Sequence, residues 1–179
     1  MKKRKKELIL LPRESLVKTG TLDHGDWNYS SILGKIQRMR FKAVVSMLQE
    51  CRFGKILEVG YGSGIFLPEL ARHCEDLYGI DTHSMNQKVE EILAKNNLEV
   101  SLKSRSVTKM PFENQFFDCV IAISTLEFVD DVDAACVEIA RVLKPTGIFI
   151  VITPGFSRFV DIGLRVLTGK SANKDYANR

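Results

Sequence analysis

Glycine at every second position in Lys55-Ile-Leu-Glu-Val-Gly-Tyr-Gly-Ser-Gly-Ile65 leaves this chain few folds to choose from. Ile56, Leu57 and Val59 form an apolar run that enters the loop, and helix-compatible residues leave it, so the stretch reads as strand, tight turn and helix. Gly60, Gly62 and Gly64 carry no Cβ, which lets the backbone turn sharply and lets a ligand lie against the main chain and the following N–H groups. The spacing narrows the ligand. A dinucleotide fingerprint would need glycine at position 65, where Ile65 stands. Glu58, two residues before the first glycine, would face a pyrophosphate with like charge, whereas it suits a ligand with a cationic end. Gly169-Lys170-Ser171 has the ending of a phosphate-binding loop, but Leu164 occupies the place of its first glycine and too little chain follows for the helix such a loop needs.

The chain around this loop alternates strands with helices. Ile36, Met39, Ala43, Val44, Met47 and Leu48 recur at three-four spacing and predict a helix from Lys35 with one apolar face, ended by Gly54. Ile65, Phe66, Leu67, Leu70 and Ala71 predict a short helix, with Pro68 near its start. Leu77 to Asp81 reads as a second strand ending in a carboxylate. Ser84-x-x-Gln87 has the capping-box pattern and opens a helix to about Asn96, with Met85, Val89, Ile92 and Leu93 inward. Leu98 to Leu102 reads as a third strand. Phe117 to Ile123, apolar except at Asp118, reads as a central parallel strand buried on both faces. Val132, Ala135, Cys136, Ile139, Ala140 and Leu143 give a helical stripe capped by Asp130 or Asp131 and stopped at Lys144-Pro145-Thr-Gly147, and Ile148 to Ile152 is a fifth strand. The predicted fold class is α/β, a doubly wound, mostly parallel sheet of five visible strands, whose ligand lies outside the carboxyl ends of the strands.

Composition limits the function classes. A chain of 179 residues, 45% hydrophobic, can bury one core, and no stretch approaches the ~20 apolar residues of a membrane span. The net charge of +4 misleads, because five of the 26 basic residues are Lys2, Lys3, Arg4, Lys5 and Lys6; the remainder is near neutral and lacks the broad basic face of a nucleic-acid binder. The apolar run after them is closed by Pro12 and is too short for a secretory signal. The basic run reads as a solvated tail, as a peripheral contact with an anionic membrane or, least, as an RNA contact. Cys51, Cys74, Cys119 and Cys136 form no C-x-x-C pair, with Cys119 and Cys136 at positions that read as core, and His24, His73 and His83 are far apart, so no metal site is expected. A cytoplasmic location, with peripheral membrane contact as an addition, is the corresponding expectation.

Glu58-Val-Gly60-Tyr-Gly62-Ser-Gly64, with the elements that follow it, resembles the first motif of the class I S-adenosyl-L-methionine-dependent methyltransferases, in their small-molecule and quinone-biosynthesis type; the similarity runs from about residue 53 to 153. The resemblance implies a Rossmann-like methyltransferase fold over residues 35–179, preceded by a basic tail and lid segment over 1–34. It implies S-adenosyl-L-methionine as cofactor, held by Glu58, Gly60, Tyr61, Gly62, Ser63 and Gly64, by Asp81 on the ribose hydroxyls, by Thr82 and His83 along the ribose and adenine edge, and by Ser106 and Val107 near the adenine. For His83 a plain surface turn is the equal alternative. Ser106 departs from the family pattern, which has Asp five residues before the Pro of Met110-Pro111-Phe112, and a hydroxyl accepts more weakly than a carboxylate. Ser124 and Leu126 are expected to line the methionine side.

After the fourth strand, Ile123-Ser124-Thr125-Leu126-Glu127-Phe128 lacks the Asn/Asp-Pro-Pro-aromatic signature of many nucleic-acid methyltransferases, so the implied acceptor is a small, apolar or lipid-like molecule. His24, in the segment Asp23-His24-Gly-Asp26-Trp27-Asn-Tyr29, is the first candidate proton acceptor and Glu127 the second; as alternatives, His24 and Asp26 are turn residues, Trp27 is an anchor and Glu127 an ordinary first-turn carboxylate. The family usually completes its sheet with two further strands, for which only 26 residues remain from Pro154 to Arg179. A helix over 157–168 is expected, and either the chain is a piece of a longer product, the favoured reading, or the fifth strand is an open edge covered by that helix or by a homodimer partner. A cofactor-binding domain without catalysis is the competing functional reading.

Overall fold

The structure, a computed structural model, describes residues 7–21, 23–48 and 51–153. Its centre is made by the two strands whose residues are apolar on both sides. β1 (Phe53–Val59) and β4 (Phe117–Ile123) pair in parallel, with Glu58 opposite Ile121 and Val59 opposite Ala122. β2 (Cys74–Asp81) pairs with the other side of β1, and β3 (Ser101–Ser104) with β2, while β5 (Leu143–Ile152) pairs with β4. The order β3-β2-β1-β4-β5 reverses direction between β1 and β4. The loops after these two strands therefore diverge and leave a crevice at their carboxyl ends.

Alternate residues of each strand enter opposite layers. Ile56, Cys119, Ile121 and Ile150 meet Phe41, Val44 and Leu48 of α1 (Leu33–Leu48) on one face, with Phe66 stacked on Phe41 at 4.3 Å between ring centroids. Leu57, Val59, Val120 and Ala122 meet Ala135, Ile139 and Val142 of α4 (Val132–Val142) on the other. α2 (Leu67–Leu70) is a single turn with Pro68 near its start, and α3 (Asn86–Lys95) buries Val89 and Leu93.

Several expected elements shift. α1 begins at Leu33 and turns Phe41, Val44 and Leu48 inward, whereas Ile36, Met39 and Met47 of the expected face are more than half exposed. The helix carries two apolar stripes, and the one containing Phe41 packs. Cys136 is exposed rather than in the core, because α4 buries the 135/139/142 stripe; Asp131 caps it as expected, accepting from Ala134 N at 2.9 Å. The Ser84 capping box does not form: Met85 is the N-cap residue and its N–H donates to His83 Nδ1 at 3.1 Å. β3 lies three residues later than expected, at the sheet edge. The stop sequence Lys144-Pro145-Thr146-Gly147 lies inside β5, as a bulge where pairing jumps from Phe117–Leu143 to Cys119–Ile148; proline has no N–H to continue a ladder there.

The amino-terminal segment is more ordered in its contacts than its pattern suggests. Leu11 is fully buried in the α1-side core and its N–H donates to Ile65 O at 3.0 Å. Ile9 N donates to Glu69 Oε2 at 2.7 Å, and Tyr29 OH donates to Leu11 O. Glu69, a buried carboxylate, is held by Ile9 N and by Arg72 at 3.2 Å, which offsets the cost of its burial. The basic run Lys2–Lys6 and the expected helix over 157–168 lie outside the described residues. Among the described residues no helix is long and apolar enough to cross a membrane.

Candidate functional site

The loop after β1 takes the conformation that its glycines permit. Gly60, Gly62 and Gly64 have φ of 77°, 52° and 76°, all in the left-handed region that side chains disfavour. At Gly60 a Cβ would also sit 2.2 Å from Thr125 Oγ1, on the loop that leaves β4. Thr125 Oγ1 in turn donates to Val59 O at 3.1 Å, so the two loops flanking the crevice are tied together at its base.

Asp81, at the end of β2, organises the next wall. Its Oδ2 accepts from Gly62 N at 2.9 Å and its Oδ1 from Thr82 N at 2.7 Å. His83 N adds a longer bond to Oδ1 at 3.4 Å, and since two carboxylate oxygens offer about four lone-pair positions, acceptor capacity remains beyond these three bonds. His83 is no free surface turn: its Nδ1 accepts from Met85 N, which leaves the proton on Nε2, and that nitrogen donates to Gly62 O at 3.0 Å. Tyr61 meets the His83 ring edge-on at 4.9 Å. The loop thus has a rigid floor made of its own neighbours.

Beneath it lie polar groups whose partners the protein does not supply. Glu58 is 5% exposed and its Oε2 has no hydrogen-bond partner. Burial, with the negative charge of Asp81 second, pushes its carboxyl up to about 8. Ser63 Oγ and Tyr61 OH are likewise buried and unbonded, and burial raises the Tyr61 hydroxyl well above its ordinary value. A buried carboxyl without a partner costs free energy that a cationic ligand group would recover. The acidic pair at the ends of β1 and β2, the cradle of left-handed glycines and the unbonded Ser63 hydroxyl together fit a ligand with a vicinal diol and an ammonium group.

The segment before α1 lies over this loop. A Cβ on Gly25 would be 2.5 Å from Ser63 Oγ, and one on Gly62 would be 3.7 Å from Asp23 Oδ1. Asp23 is itself fixed by Thr19 Oγ1 at 2.9 Å and by Gly25 N at 3.0 Å. His24 lies between these contacts and stacks on Trp27, ring centroids 4.1 Å apart. Asn28, fully enclosed, keeps one unbonded oxygen. Sequence pattern had no means of placing Asn28, since nothing around it is periodic.

At the end of β4, Ser124 has φ 51°, a left-handed conformation that a non-glycine residue adopts at some cost. Its Oγ is 2.6 Å from Arg40 Nη1, which brings α1 to the crevice and adds a cation that the sequence did not single out. Both carboxylate oxygens of Glu127 are buried with no partner on another residue, and burial raises its pKa against the lowering by its own backbone N–H and, less, by Arg40. Leu126 instead packs into the α4-side core, as does Val107. Ser106 is exposed and its hydroxyl is engaged with Thr108 Oγ1 at 2.8 Å, an ordinary turn contact. The structure therefore gathers Glu58, the glycine loop, Asp81, His83, Ser124 and Thr125 around one crevice. Among the described residues no cluster of metal-ligating side chains occurs.

With this geometry in view, the comparisons with known proteins fall into one pattern. A family model described as a methyltransferase domain matches residues 57–151. A ubiquinone biosynthesis O-methyltransferase of Bartonella tribocorum is 31% identical over 100 residues, 55% of this chain and 40% of the relative. A phosphatidylethanolamine N-methyltransferase of Cereibacter sphaeroides is 31% identical over 104 residues, 56% of this chain and 51% of the relative. The solved structure of a SAM-dependent methyltransferase from Aquifex aeolicus superposes with a TM-score of 0.58 at 22% identity, covering 65% of this chain and 66% of the other, and so shares the fold. This chain spans about half the length of the curated relatives it matches. The family match covers more than half of the chain, from the strand that carries Glu58 to the fifth strand, and the chain belongs to the class I S-adenosyl-L-methionine-dependent methyltransferase family.

Proposed function

We propose that this chain transfers a methyl group from S-adenosyl-L-methionine to a small, apolar or lipid-like acceptor. The single observation that carries the cofactor part is Glu58, buried beneath a left-handed glycine loop with an unbonded oxygen and Asp81 as its neighbour. When bound, the cofactor supplies a methyl group on a positively charged sulfur, whose departure as a neutral thioether needs no acid. Glu58 then faces the ammonium end, Asp81 accepts from the ribose hydroxyls through the lone pairs that Gly62 N, Thr82 N and His83 N leave over, and Ser63 offers its hydroxyl. The chain's remaining task is alignment and exclusion of water, which suits the close seat of residues 23–25 on the loop. Glu127 is the candidate to take a proton from a hydroxyl acceptor, a role supported by the burial that raises its carboxyl above the ordinary range. His24, stacked on Trp27, is the alternative on the other wall.

The acceptor class is supported by the relatives' names, one an O-methyltransferase of ubiquinone biosynthesis and the other an N-methyltransferase of phosphatidylethanolamine. Incubation with S-adenosyl-L-methionine and, separately, a prenylated dihydroxybenzene and phosphatidylethanolamine in detergent micelles tests the reading by mass spectrometry. Methylation of either one, abolished with Glu127→Gln or His24→Ala, supports it. Cofactor binding with transfer to neither contradicts it and favours a cofactor-binding domain without catalysis.

A further inference from the structure

We propose that the outward face of α1 is a docking surface for an anionic lipid bilayer. The helix is apolar on two sides. Its inner stripe is in the core, while Ile32, Ile36, Met39 and Met47 are each more than half exposed, with half-buried Ala43 among them. The spacings are four, three, four and four residues, so Ile36, Met39, Ala43 and Met47 form one line along the helix, directed away from the Phe41, Val44 and Leu48 stripe, and Ile32 in the turn just before it extends the exposed apolar surface. An outward stripe of this length on a helix already anchored by its opposite face has no role in the described core.

Charge selects the occupant. From residue 33 to 48 there are four basic side chains and no acidic one. Arg38 and Arg40 reach inward, to Asn28 O and Ser124 Oγ, but Lys35 and Lys42 are exposed and flank the apolar line on one side. Apolar residues bordered by lysine, on a helix without carboxylates, match a surface that is apolar below and negative above, the boundary between acyl chains and anionic headgroups. The chain's own apolar stretch over 156–168 is a poorer match, because Arg158 and Arg165 outnumber Asp161 and bring like charge. A second copy pairing antiparallel through the same stripe would oppose lysine to lysine. The helix also runs to the crevice, where Arg40 meets Ser124, so docking through α1 would bring the carboxyl ends of the strands close to the lipid surface.

The inference stands apart from the methyl-transfer reading, since it needs neither cofactor nor acceptor. Flotation of the full chain with phosphatidylcholine vesicles, with and without phosphatidylglycerol, tests it. The chain is expected to float with the anionic vesicles only, and to bind less as salt is raised. The triple variant Ile32→Ser, Ile36→Ser, Met39→Ser and the double variant Lys35→Glu, Lys42→Glu should each lower binding by about tenfold or more, with thermal midpoints unchanged because the replaced side chains are exposed. Equal binding of the triple variant overturns the proposal, as does equal binding to neutral vesicles. It is also overturned if deletion of residues 2–6 alone abolishes flotation while the triple variant floats normally, or if the wild type is a dimer that the triple variant dissociates.

Discussion

Glu58 is the residue at which structure and chemistry are most at odds until a ligand is supplied. Its carboxyl, raised to about 8 by burial and by Asp81, takes up a proton on folding that the unfolded chain releases near the ordinary carboxylate pKa of 4.5. The folded state therefore binds more protons between about 4.5 and 8, and the stability of the ligand-free chain falls as pH rises through that window. Glu58→Gln should remove this slope, leave the ligand-free protein more stable at pH 8, and weaken cofactor binding. Thermal melts of both proteins from pH 5 to pH 8.5 measure it, and parallel profiles would show that Glu58 is not the buried proton acceptor. Residue by residue, the sequence made Glu58, Gly60, Gly62, Gly64 and Asp81 legible because each rests on a backbone or charge requirement. His83 was half legible: its position followed from Asp81, but the ring's place as acceptor for Met85 N and donor to Gly62 O depends on tertiary contacts. Ser106 was placed by the family pattern alone, and its exposed hydroxyl contacts Thr108 Oγ1 within a local turn.

At the scale of elements, β4 was the easiest to read, since an apolar run closed at both ends by polar residues has one comfortable place, the middle of a parallel sheet. α1 was read as a helix with half of its inward face right: Val44 and Leu48 are buried as expected, whereas Ile36, Met39 and Met47 are exposed and Phe41 takes their place. Two adjoining stripes satisfy the same periodicity, and the one that packs includes Phe41, stacked on Phe66. β3 slipped because an edge strand of four residues has little apolar pattern to locate it. The segment over residues 7–16 was hidden for the opposite reason: Leu8 to Leu11 is too short to signal an element, yet Leu11 fills the core and its main chain bonds Ile65 beside the glycine loop. Leu11→Ala should therefore cost about 2–5 kcal/mol, as for other fully buried leucines. Urea denaturation checks this. A loss below about 0.5 kcal/mol, the range of surface substitutions, would mean that the segment is not part of the folding unit.

For the molecule as a whole, the strand order places the reversal of the sheet between β1 and β4, and every unbonded buried carboxyl described above lies on a strand end or loop beside that reversal. Fold and site are thus one construction: the crossover sets the crevice, the glycine loop lowers its wall, and Asp81 locks the loop through Gly62 N. The segment over 23–25 supplies the remaining cover, a part that pattern could suggest only through the family resemblance. The most direct test of this arrangement is calorimetric titration of the chain with S-adenosylhomocysteine, beside the Asp81→Ala variant and with NAD as control. Micromolar binding by the wild type, about tenfold or more weaker in the variant through loss of charge-assisted hydrogen bonds, and none of NAD by either, is the predicted result. Equal affinity of wild type and variant, or binding of NAD alone, would contradict the assignment of the crevice.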